Sequence, residues 1–125
     1  MASRREYQQE DVRLRVMRLL NEDPEMSTRQ IARAVGVSNG SAYYVLTALV
    51  EKGFVKLESF RNNPRKGQYA YLLTPKGIRE KSLLAHRFIA RKRQEFQDLL
   101  AEIETLEKEV NLLDLSPTSK TQGSD

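Results

Sequence analysis

A short basic stretch is the clearest sign of chemistry in this sequence. RNNPRKG, at residues 61–67, carries three positive charges and no apolar side chain. Apolar runs flank it on both sides, which predicts a loop between two β-strands. Such a loop is either a solvated hairpin or a finger laid along a nucleic-acid backbone. In the second case Arg61, Arg65 and Lys66 would contact phosphate, with Arg65 placed in the minor groove.

The distribution of charge favours an anionic partner. The chain has 125 residues and a formal net charge of +4. Residues 1–93 contain 19 Lys or Arg against 9 Asp or Glu, whereas residues 94–125 contain 2 against 8. A basic body followed by an acidic C-terminal segment predicts that only the body binds an anion.

Enzymatic chemistry finds little support in the residue types. Cysteine is absent, which excludes disulfides, thiolate metal sites and cysteine nucleophiles. The single histidine, His86, has no carboxylate cluster near it in sequence and is predicted to be a solvated or interface residue. No glycine-rich phosphate-binding loop is present. We therefore predict that the protein is not an enzyme and holds no metal or cofactor.

The location of the protein is predicted from its apolar runs. The first ten residues, MASRREYQQE, have no apolar signal-peptide core. No apolar run approaches the roughly 20 residues needed to span a bilayer. A cytoplasmic protein without membrane contact is expected.

Apolar spacing predicts three helices in the first half of the chain. The first covers residues 7–21, and its inward stripe is predicted to be Val12, Val16, Leu19 and Leu20. The second begins with an S-x-x-Q capping box at Ser27 and ends at Gly36. The third runs from Ser38 to Gly53, and its core stripe is predicted to be Ala42, Val45, Leu46 and Leu49. This order is typical of a helix-turn-helix.

A hairpin and a long helix are predicted to follow. Strand-like alternation covers residues 54–60 and 68–73. Thr74 and Pro75 then form a strong helix start, with threonine as the cap and proline at the first helical position. The fold class is therefore mainly α with a small β-hairpin wing (α+β), a winged helix-turn-helix with a long C-terminal dimerisation helix.

The predicted domains are a DNA-binding domain at 1–74, a dimerisation helix at 75–114 and a disordered tail at 115–125. The long helix carries an apolar seam of alternating three- and four-residue spacing. Its predicted interface residues are Ile89, Phe96, Leu99, Ile103, Leu106 and Val110. The helix could instead fold back on its own domain, but the seam is too long for so small a core to cover.

Charge along the long helix predicts the orientation of the dimer. Residues 76–93 carry seven Lys or Arg and one Glu, whereas residues 94–114 carry seven Asp or Glu and one Lys. Antiparallel pairing sets basic halves against acidic halves, and parallel pairing sets like against like. An antiparallel homodimer is therefore predicted.

The outer face of the third helix would read base edges in a major groove. The candidate base-reading residues are Asn39, Ser41, Tyr43, Tyr44 and Thr47. The candidates for phosphate contact or close approach outside the loop are Ser27, Thr28, Arg29, Arg33, Ser38 and Gly40. Two alternatives stay open: Ser27 could serve only as a helix cap, and a tyrosine could be half-buried against the wing.

Two segments resemble a known family. STRQIARAVGVSNGSAYYVLTALVEKGFVK resembles the helix-turn-helix core of MarR-type transcriptional regulators. YAYLLTPKGIREKSLLAHRFIARKRQEF is similar to a compact MarR subgroup associated with exopolysaccharide (EPS) biosynthesis loci. The resemblance covers residues 12–97 and implies a dimeric DNA-binding repressor or activator. That subgroup usually has lysine where Ser41 stands and a smaller polar residue at Tyr43, so the resemblance implies the activity but not the operator sequence.

These patterns predict a homodimeric regulator that binds double-stranded DNA sequence-specifically. One alternative is a winged-helix adaptor for a protein partner, and another is a nonspecific nucleic-acid binder, including of RNA. One long dimer helix offers few pocket walls, so no obligatory small-molecule effector is expected.

Overall fold

The computed structural model describes residues 3–59 and 69–114. Its elements are α1 (Arg4–Glu22), α2 (Thr28–Val35), α3 (Asn39–Glu51), β1 (Val55–Ser59), β2 (Tyr69–Leu73) and α4 (Pro75–Asp114). The fold is mainly helical with one antiparallel hairpin and a long C-terminal helix, as predicted. Arg61, Arg65 and Lys66 lie outside the described residues, as does the predicted disordered tail.

Paired hydrogen bonds between side chain and backbone fix where α1 and α2 begin. The Ser27 hydroxyl accepts from the Gln30 N–H at 3.1 Å, and the Gln30 side chain accepts from the Ser27 N–H at 2.9 Å. This is the predicted capping box. An equivalent box of Ser3 and Glu6 begins α1 three residues before the predicted start. The predicted start was wrong because apolar spacing gives no signal in the polar first turns of the helix.

A single buried cluster holds the helices and the hairpin together. Its buried members are Leu14, Val16, Met17, Leu20, Ile31, Val35, Leu46, Leu49, Val55 and Leu84. The predicted inward residues of α2 and α3 are buried or partly buried. On α1 the predicted stripe needs correction, because Val12 and Leu19 only pack against the cluster while Leu14 and Met17 lie inside it. Leu14, Met17 and Leu20 recur at a spacing of three, so they share one helix face.

Both strands attach the hairpin to the helices, β1 through the buried Val55 and β2 through a backbone hydrogen bond. The two strands pair antiparallel from Val55 opposite Leu73 to Ser59 opposite Tyr69. The Tyr71 N–H donates to the carbonyl of Pro24 at 2.9 Å, which ties β2 to the connection between α1 and α2. Strand β1 begins one residue after its predicted start at position 54.

The end of α3 and the start of α4 are joined by hydrogen bonds, in a region that we term the α3–α4 junction (residues 52–54 and 74–77). The Thr74 hydroxyl donates to the Gly53 carbonyl at 2.6 Å and accepts from an N–H in the first turn of α4. The Lys76 ammonium donates to the Lys52 carbonyl at 2.9 Å and lies 5.2 Å from the centroid of the Phe54 ring. The predicted helix start at Thr74 is confirmed.

The chain divides into two compact units, Met1–Phe88 and Ile89–Asp125. The first unit includes the beginning of α4, since Leu84 belongs to the buried cluster, whereas the predicted DNA-binding domain ended at residue 74. The described part of the second unit is the remainder of α4. Across both described ranges, none of the helices has the length and apolarity to cross a membrane.

Candidate nucleic-acid interface

A tight turn sets α3 against α2. Gly36 closes α2 with a φ of 83°, a left-handed conformation that glycine adopts without steric cost. The N–H groups of Gly36 and Val37 both donate to the Ala32 carbonyl, at 2.8 and 3.0 Å. Ser38 then caps α3, and its hydroxyl accepts from the Ser41 N–H at 3.1 Å. Three residues thus separate two capped helices, which is the predicted helix-turn-helix arrangement.

The outer side of α3 carries two exposed aromatic side chains. Tyr43 is 63% exposed and Tyr44 is 76% exposed, so neither is half-buried against the hairpin. Asn39 and Ser41 are also exposed, while Thr47 is partly buried. The five predicted base-reading residues therefore lie on one helix, and four of them are exposed. A tyrosine can pack its ring on a base and also donate or accept through its hydroxyl.

Gly40 leaves the first turn of α3 without a side chain. An added Cβ there would have one neighbour within reach, the Ser38 Oγ at 4.0 Å, and the backbone is helical rather than left-handed. Glycine inside a helix costs about 0.5–1 kcal/mol relative to alanine. The surrounding fold therefore gains nothing from glycine here, and its absent side chain gives a partner close access to the backbone.

Helix α2 presents the candidate phosphate contacts. Arg29 and Arg33 are exposed, and in the described part of the chain neither guanidinium is in an ion pair. Thr28 is partly buried. Ser27 serves as the cap, but its hydroxyl hydrogen can still donate to an anion because the oxygen is the group used in capping. The geometry is thus compatible with Ser27 acting only as a helix cap and with Ser27 also contacting phosphate.

The described part of the second unit exposes its apolar seam. Ile89, Phe96, Leu99, Ile103, Leu106 and Val110 are each between 43% and 57% exposed. Polar neighbours interact along the helix, as in the Lys92–Glu95 ion pair at 3.0 Å and the Gln94–Asp98 hydrogen bond at 3.0 Å. A row of exposed large apolar side chains is typical of an interaction surface.

Metal-binding chemistry has no cluster of ligands in the described ranges. No group of three or more His, Cys, Asp or Glu side chains is close enough there to hold a metal ion.

Comparison with protein families defines the class of the first unit. Residues 9–56 match the family described as winged helix-turn-helix DNA-binding. This segment runs from α1 through the turn and α3 into β1, so it contains the whole helix-turn-helix described above. The chain therefore contains a winged helix-turn-helix DNA-binding domain. Comparison with the curated proteins found no match.

Solved structures share this fold over most of the chain. The PcaV transcriptional regulator from Streptomyces coelicolor matches with a TM-score of 0.59 and 22% identity, over 88% of this chain and 79% of that chain. Wild-type MarR from E. coli, in its apo form, matches with a TM-score of 0.55 and 22% identity, over 78% and 75%. A MarR/EmrR family regulator from Acinetobacter sp. ADP1 matches with a TM-score of 0.56 and 19% identity, over 80% and 75%. At these identities the likeness establishes the fold.

Proposed function

We propose that this chain is a MarR-type transcription regulator that binds double-stranded DNA sequence-specifically, as a homodimer in the cytoplasm. The observation that carries the proposal is the outer face of α3, which exposes Tyr43 and Tyr44 beside the open backbone at Gly40. An α-helix fits the major groove and presents its side chains to the base edges. The match of residues 9–56 to a DNA-binding domain supports the same reading.

Each group of residues has a separate task in this proposal. Base edges are read by Asn39, Ser41, Tyr43, Tyr44 and Thr47. Phosphates are held by the exposed guanidinium groups of α2, at Arg29 and Arg33, together with Ser27, Thr28 and Ser38. The basic residues of the wing, Arg61, Arg65 and Lys66, reach the neighbouring phosphates and the minor groove. The contacts to phosphate supply affinity that falls as the salt concentration rises.

Dimerisation is assigned to the exposed seam of α4. The seam residues are apolar and accessible in the single chain, and the helix is basic before residue 94 and acidic after it. Two antiparallel copies would bury both seams and pair opposite charges. A dimer with two-fold symmetry would place one α3 helix in each of two half-sites, so the bound DNA is expected to contain an inverted repeat.

The class of regulated genes follows from the sequence resemblance alone. The segment that contains LTPKG resembles regulators associated with exopolysaccharide biosynthesis loci, so we infer that such genes are the targets. Transcript levels in a strain lacking the regulator would test this inference. If the exopolysaccharide transcripts are unchanged, the inferred target genes are wrong, and the proposal of DNA binding is unaffected.

Selection from a randomised duplex pool at roughly physiological salt tests DNA binding directly. We expect retained duplexes to share an inverted repeat whose half-sites lie about one helical turn apart. Retention without enrichment would instead indicate a nonspecific nucleic-acid binder. If no duplex is retained, the adaptor interpretation replaces the proposal.

The Gly40→Ala substitution is expected to change protein stability and operator affinity in opposite directions. We expect the variant to be about 0.5–1 kcal/mol more stable, because alanine is favoured in a helix and has room at this position. Operator affinity should nevertheless fall about tenfold, or about 1.4 kcal/mol, because the added methyl group would stand between the helix backbone and the duplex. Urea unfolding and fluorescence anisotropy with the selected operator measure the two effects.

Gly53→Ala is the matched control, because it adds the same methyl group in open space but at a φ of 78°. It should lower stability by about 1–2 kcal/mol, in contrast to the gain expected for Gly40→Ala. A Gly40→Ala variant that gains stability and keeps its affinity would show that DNA does not approach this turn.

A further inference from the structure

An open groove lies between the N-terminal half of α1 and the adjacent side of α3. Three basic side chains line it, those of Arg5, Arg13 and Lys52, and none of its lining residues is acidic. The amide side chains of Gln8 and Gln9 line it as well. Sequence patterns assigned no role to any of these residues. The groove thus combines three positive charges and two amide side chains with an apolar side formed by Val12, Val37, Val45 and Ala48.

One of the basic groups lacks a hydrogen-bond acceptor. The Nε atom of Arg13 is buried, and no partner for it lies among the described residues. A buried N–H without an acceptor is unfavourable. Arg15, on the same helix, contrasts with it, because its guanidinium donates to the Val35 carbonyl at 3.4 Å. Because that Nε atom is itself buried, an anionic oxygen in the groove would meet the terminal guanidinium nitrogens of Arg13 rather than Nε.

The groove is continuous with the predicted reading face. Gly40, Ser41 and Tyr44 of α3 line it together with the basic residues of α1. The major groove of B-DNA is about 12 Å wide. With the outer face of α3 inserted there, the α1 residues that share the groove stand beside the inserted face, on the side where the phosphates of one strand run.

We propose that this α1–α3 groove holds the sugar–phosphate backbone of the DNA strand that borders the inserted α3. Arg5, Arg13 and Lys52 donate to phosphate oxygens, and the glutamine amides contribute neutral hydrogen bonds. The inference rests on the proposed function, because it requires α3 to occupy a major groove. It adds α1 as an element of the DNA interface, distinct from α2, α3 and the wing.

The test is the salt dependence of operator binding by an Arg5→Gln/Lys52→Gln double variant. Each lost phosphate contact should reduce the slope of log affinity against log salt by about 1. The double variant is therefore expected to lose about 2 from the slope, with its order of preference among operator sequences unchanged. Arg13→Gln, measured separately, should lose about 1. Circular dichroism and thermal unfolding establish that each variant is folded.

Arg18→Gln is the matched control, because it removes one charge from an exposed position on α1 that does not line this groove. Its slope should match the wild type. An equal loss of slope in the control would overturn the proposal, because overall charge would then explain the effect. The double variant could instead keep the wild-type slope while Arg29→Gln lowers the slope. That result would overturn the role of the α1–α3 groove and leave the proposed function intact. A wild-type protein that retains no duplex would overturn both.

Discussion

Gly77→Ala is expected to destabilise the folded protein by about 3 kcal/mol, at the upper end of the range for overpacking. A Cβ at Gly77 would collide with the carbonyl oxygen of Phe54 and lie 2.9 Å from its carbonyl carbon. Both are backbone atoms, which cannot rotate away as the end of a flexible side chain can. Relief requires the first turn of α4 to move away from Phe54, where the Thr74 and Lys76 hydrogen bonds hold the α3–α4 junction closed.

Urea unfolding followed by circular dichroism measures this effect. Gly40→Ala serves again as the control, since it adds the same methyl group to a helix and is expected to stabilise. The Gly77 variant should also bind the operator less tightly when folded, because a shifted junction moves the C-terminal end of α3. If the free energy of unfolding falls by less than about 1 kcal/mol, the prediction is wrong, and the junction can open to accept the methyl group without strain elsewhere.

The junction gives the LTPKG motif a physical explanation. Thr74 caps α4 and Pro75 occupies its first position, as local sequence signals predict. Lys76 and Gly77 have roles that no local signal shows, because their partners at residues 52–54 belong to another part of the chain. The motif therefore positions the C-terminal end of α3 relative to the start of α4.

Local chemistry explains which other elements could be predicted. The Ser27 capping box, the left-handed Gly36 and the apolar stripe of α3 are all set by neighbours within four residues. The inward side of α1 was partly missed, because apolar residues occur on several of its faces and tertiary packing decides among them. The α1–α3 groove was also missed, because tertiary packing brings together lining residues from two helices that are not consecutive in the chain.

Ile103→Asp is expected to convert the proposed dimer to a monomer and to weaken operator binding about 100-fold or more. Ile103 is 43% exposed and lies in the middle of the apolar seam, so the substitution would place a charge inside the interface of two paired helices. Charges there are costly unless they are paired. Loss of the dimer removes the second half-site contact, and linked binding of two modules contributes about 10²–10⁴ in apparent affinity.

Ala101→Asp distinguishes loss of the interface from a change in charge or helix propensity. At 100° per residue Ala101 lies on the side of α4 opposite the seam, and the substitution adds the same carboxylate to an exposed position of the same helix. Light scattering coupled to gel filtration should show a dimer for this control and a monomer for Ile103→Asp, and anisotropy measures the affinity of each. A dimeric Ile103→Asp variant would contradict the seam. A monomeric variant with wild-type operator affinity would mean that one winged helix suffices for recognition, and the expected inverted repeat would then have no structural basis.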